Sequence, residues 1–161
     1  MIYFNLNSMN KFSLKITLIQ LIASVLLFLG IQQFYILSEL DLIELVHSIG
    51  KENFAYYVQK SDEFGISSKL KYLSTVKLIL SFIGIVLGYI VSSIINYKKN
   101  LDYKMAIVTT MLCFIIYQFK IINLPINYIS TKNLVIAYFV PATISIFVSF
   151  CLFFLSDRVK P

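Results

Sequence analysis

The sequence predicts an all-α protein, an integral membrane four-helix bundle with short amphipathic helices in its first outer loop. Three observations carry that expectation. Of 161 residues, 58% are hydrophobic and 14% charged, against about 25% charged in ordinary soluble domains; mean hydropathy is +0.80. The apolar residues gather into four runs, over 16–37, 76–97, 105–124 and 134–155. Each matches the roughly 20 residues that a helix needs to cross a hydrocarbon core of about 30 Å. The polar stretches between them are too short to build a separate water-facing core, so 1–161 is read as a single membrane domain.

The first run follows Lys11 and Lys15. Basic residues ahead of an apolar run are a signal-peptide feature. This run, though, exceeds the ~7–15 residues of an h-region, and no A-x-A-like site follows it. An uncleaved spanning helix is expected, with Thr17, Gln20 and Ser24 on one face and Gln32 and Gln33 near its far end. Met9 offers an alternative start to Met1.

Residues 38–75 form the outer loop. Ser38-x-x-Asp41 reads as a capping box ahead of Leu42, Leu45, Val46 and Ile49, with Gly50 as the stop. A second short helix over 52–60 places Phe54, Tyr57 and Val58 together, and Asp62, Glu63 and Gly65 mark a turn. Both helices are expected at the membrane interface.

The second run carries one charge, Lys77, and contains Gly84-x-x-x-Gly88 with Ser92 four residues on. Small residues at that spacing let another helix approach closely in lipid. They serve either packing within the chain or dimerisation. The short link 98–104 makes the third run its antiparallel neighbour. There Thr110, Cys113, Tyr117 and Lys120 share a face, and Pro125 ends the run. That face either lines a polar cavity or hydrogen-bonds between helices. Lys120 either snorkels to the headgroups or meets a ligand or the outer loop. In the fourth run Ala137, Pro141, Ser145 and Ser149 recur every fourth place and read as a packing seam. Pro141 is expected to kink that helix. Phe147, Phe150 and Phe154 cover another face, towards lipid.

Function classes are narrowed mainly by exclusion. The net charge of +6 is spread over membrane flanks, without a basic stripe carrying interleaved aromatics, so no nucleic-acid partner is expected. Cys113 and Cys151 lie inside apolar runs and form no CxxC pair. Glu44-x-x-His47 has the spacing used in di-iron sites, but the chain has no second histidine and no acid within any apolar run. Neither a catalytic set nor a cofactor or metal site is expected. Basic residues number seven on each side of the spans, yet Lys11, Lys15, Lys98, Lys99, Lys104, Arg158 and Lys160 occupy the shorter polar stretches. That density places both termini in the cytoplasm.

The expected role is non-catalytic. The chain would sit in the inner membrane among lipids and bind another membrane or secreted protein, or a second copy of itself. Small size, four spans, cytoplasmic termini and a long first outer loop resemble the layout of the four-helix colicin immunity proteins. That resemblance implies protection against a pore-forming toxin and carries over no individual residue. A small transporter or channel component is the further alternative. Only Pro141 breaks a span, whereas transporters usually show repeated broken helices.

Overall fold

A computed structural model describes residues 13–118 and 134–160. Among these the chain is helical and contains no strand. The elements are α1 (Leu14–Gln33), a 3₁₀ turn (Phe34–Ser38), α2 (Leu40–Gln59), α3 (Ser67–Lys98), α4 (Lys104–Gln118) and α5 (Leu134–Arg158). α1, α3 and α5 are each long and apolar enough to cross a membrane. α4 is shorter. The end of the expected 105–124 run, with Lys120 and Pro125, lies outside the described residues, as do Met1, Met9 and Lys132.

α1 is the helix that the others share. α3, α4 and α5 all pack on it, whereas α3 and α5 barely meet. Its central position shows in burial: Ala23, Val25, Leu27, Phe28 and Leu29 are all buried, as are the polar Gln20, Ser24 and Gln32. Paired residues give the directions. Phe28 stands against Gly84 and Ser24 against Gly88, so α3 runs antiparallel to α1. Ser149 bonds the Ala23 carbonyl while Ala142 lies beside Gly30, so α5 is antiparallel as well. Ile16 packs with Met105, and the Phe28 ring meets Tyr117 edge-on at 6.2 Å, so α4 runs parallel to α1.

Ile16, Leu101, Met105 and Val159 close one end of the assembly. The link between α3 and α4 is built for this closure. Asn100 takes φ 53°, a left-handed helix cap that asparagine tolerates better than most residues with a Cβ. Leu101 N–H then bonds the Asn96 carbonyl at 2.9 Å and Asn100 N–H the Tyr97 carbonyl at 3.2 Å, which turns Leu101 inward. Asp102 Oδ1 accepts the Lys104 N–H and starts α4. Lys99 Nζ donates to the Val159 carbonyl at 2.6 Å, capping the end of α5.

Residues 38–75 depart from expectation in three ways. α2 is one helix that passes through Gly50 instead of two short ones; an interior glycine costs a helix only about 1 kcal/mol, too little to stop it. The capping box at Ser38 does not form, because the Ser38 hydroxyl donates back to the Tyr35 carbonyl at 2.6 Å. α3 begins at Ser67, so polar turns carrying Lys69 and Lys71 precede the apolar run. Lys69 sits 3.5 Å from Glu39, tying the start of α3 to the start of α2. The turn between the two helices is held by Tyr57 stacked on Phe64 at 4.6 Å and by Lys60 paired with Glu63.

Candidate functional site

The most distinctive arrangement in the molecule is the α1–α3 contact. Positions three and four apart on α1 bring Thr17, Gln20, Ser24, Phe28 and Gln32 to one side, and α3 answers with Ser81, Gly84, Gly88, Ser92 and Asn96. Small residues at the centre let the helices approach closely. A Cβ on Gly84 would lie 2.5 Å from Phe28 Cα, and one on Gly88 2.9 Å from Ser24 Oγ. The α3 backbone therefore meets the Phe28 backbone at Gly84 and the Ser24 side chain at Gly88, and dispersion contacts accumulate there.

Polar pairs hold this seam at either end. Gln32 Nε2 donates to Ser81 Oγ at 2.9 Å, and the Ser81 hydroxyl donates in turn to the Lys77 carbonyl at 2.7 Å. At the other end Gln20 Nε2 donates to Asn96 Oδ1 at 2.9 Å. Gln20, Ser92 and Asn96 are fully buried. Three neutral amides and the Ser81 hydroxyl thus fix which face of α1 meets which face of α3, as single buried polar residues do in coiled coils.

The small residues of α5 divide in a similar way. Ala137 and Ser149 are buried, whereas Pro141 and Ser145 are half-buried. Ser149 Oγ donates across to the Ala23 carbonyl at 2.6 Å. α5 continues through Pro141. Phe147, Phe150 and Phe154 point outwards, and the Arg158 guanidinium lies over the Phe154 ring at 4.4 Å.

The Thr110, Cys113, Tyr117 and Lys120 face is dispersed among different surroundings. Thr110 Oγ1 donates to the Ala106 carbonyl of its own helix at 2.8 Å. Cys113 lies in an apolar cluster with Val25, Phe28, Leu29 and Ile85, and Tyr117 packs at its edge. Lys120 lies outside the described residues, as does the His47 side chain. Among the described residues no group of three or more His, Cys, Asp and Glu comes together.

Asn96 and Ser81 are the seam residues that the sequence reading passes over. Their signal was present, since Asn96 continues the four-residue step of Gly84, Gly88 and Ser92. It was masked by proximity to Lys98 and Lys99, which makes Asn96 look like a solvated flank.

No family model, curated protein or solved structure matches the chain.

Proposed function

We propose that this chain is a four-span, multi-pass protein of the bacterial inner membrane, with both termini cytoplasmic, that acts without catalysis by binding or assembling with a partner protein. The observation that carries the reading is α2. Among the described residues, this twenty-residue helix meets α5 and the 3₁₀ turn before it. With the turn that follows, it leaves Tyr56, Val58 and Phe64 exposed. Exposed aromatic residues on an ordered element are the composition that protein interfaces favour. The orientation draws support from the end closed by Ile16, Leu101, Met105 and Val159. Lys15, Lys98, Lys104, Arg158 and Lys160 stand exposed around it, the distribution expected of a cytoplasmic face.

Extraction in a mild detergent followed by affinity purification tests the proposal. A partner in fixed ratio is expected with the native chain and is expected to be lost from a Tyr56→Ser, Val58→Ser variant. Elution of the native chain alone overturns the binding role. A secreted pore-forming toxin is one partner of this kind, and protection of expressing cells against a pore-former identifies that case. Substrate-dependent flux through liposomes would replace the reading with that of a transporter.

A further inference from the structure

Exposure along α1 is uneven. From Ala23 to Gln33 no residue of the helix is exposed, whereas Leu14, Lys15, Leu18 and Ile22 are. Leu14 is 63% exposed, Leu18 49% and Ile22 54%, at four-residue steps that keep them along one stripe. α4 and α5 both pack on α1 but scarcely on each other. α4 covers Val25 and Leu29 further along α1, where its Cys113 joins their cluster. The open stripe takes up about 12 Å of helix, most of the ~15 Å that one leaflet's hydrocarbon occupies. The helix at the centre of the assembly thus faces lipid over its first half.

The same end is strongly basic. Ile16, Leu101, Met105 and Val159 pack together there, and Lys15, Lys104, Arg158 and Lys160 are their immediate neighbours in the chain. All four cations are exposed. Over 13–15, 98–104 and 157–160 the chain has six basic residues against two acids, whereas between 38 and 77 six acids offset five lysines. Tyr97 and Tyr103 are exposed beside the cations, as amphipathic rings are at headgroup depth.

We propose that the Leu14, Leu18 and Ile22 stripe and the cations beside it form a binding site for an anionic phospholipid, with an acyl chain along α1 and the headgroup among Lys15, Lys104, Arg158 and Lys160. The two halves of the site select the two halves of the ligand. A free phosphate makes no use of an apolar stripe, and a zwitterionic lipid brings a cation of its own into a cluster of cations. Basic clusters between spanning helices are the setting in which anionic headgroups bind, each lysine or arginine near the surface adding to the attraction. Lys99 has another task, since its ammonium donates to the Val159 carbonyl. Arg158 is held over the Phe154 ring, which keeps its guanidinium on the outward side of α5. The site requires the helices to span a bilayer and is independent of any partner bound at α2.

The chain has no tryptophan, so a single introduced indole reports on one place. Leu18→Trp reads the site, and Phe82→Trp reads ordinary lipid at an exposed position on α3. Each full-length variant is reconstituted in bilayers of mixed phosphatidylglycerol and phosphatidylcholine, with one or the other brominated on its chains. Fluorescence quenching is expected to show about a fivefold preference for phosphatidylglycerol at Leu18→Trp and none at Phe82→Trp. A preference below about twofold at Leu18→Trp overturns the site, as does an equal preference at both positions. Adding Lys15→Gln, Lys104→Gln, Arg158→Gln and Lys160→Gln is expected to abolish the preference while quenching persists. A preference that survives those changes also overturns the site, and if that variant does not fold the contrast between the two reporters decides alone. Quenching at Phe82→Trp only means that protein covers the stripe and overturns the lipid site. Quenching at neither position overturns the bilayer reading itself.

Discussion

Gly84 and Gly88 belong to the same four-residue step, but a methyl group at each would meet different atoms. At Gly84 the obstacle is Phe28 backbone, with Cα at 2.5 Å and N at 3.3 Å. Backbone can give way only if the two helices separate. At Gly88 the nearest atoms belong to the Ser24 side chain, with Oγ at 2.9 Å, and a serine can change rotamer. Gly84→Ala is therefore expected to cost about 1–3 kcal/mol by overpacking, and Gly88→Ala clearly less. Reversible unfolding in mixed micelles checks this, and equal losses at the two sites would refute the close approach at Phe28. The small-residue spacing was legible in the sequence because side-chain size and helical period are local properties. Which of two adjacent glycines faces backbone was not legible, since that depends on the rotation and register of a helix far away in the chain.

At the scale of elements, the α3–α4 link turns on one residue. Asn100 sits at φ 53°, and a left-handed conformation costs ordinary L-residues about 1–2 kcal/mol. Asn100→Val is expected to destabilise the molecule by roughly that amount, with Asn100→Gly neutral or slightly stabilising. Thermal unfolding in detergent reads both, and tolerance of valine would show that the cap is dispensable. The long helices were legible from hydropathy, because each apolar run exceeds what a soluble helix needs. The boundaries of α2 and α3 were not. Gly50 and the polar residues before Val76 are local signals for a break, but a single glycine is a small penalty. The early turns of α3 are joined to α2 by the Lys69–Glu39 pair, a contact between residues well separated in the chain.

For the whole molecule, the proposed arrangement places Asn100 and Ser67 on opposite sides of the membrane. In a background lacking Cys113 and Cys151, Ser67→Cys is expected to react with an impermeant maleimide on intact cells, and Asn100→Cys only after the membrane is opened. Labelling of both from outside refutes the topology. The sequence reading named α1 as a span with a polar face and left open what that face meets. The answer lies in residues 81–96, too far along the chain for periodicity alone to assign. That separation has a temporal side. α1 is synthesised before every helix that covers it, and Gln20 must wait through another 76 positions before Asn96 exists to accept its proton. Until then the growing chain carries a hydrogen-bonding stripe that lipid cannot satisfy. Gln20 and Gln32 lack the partners that the folded seam supplies until residues 81–96 follow.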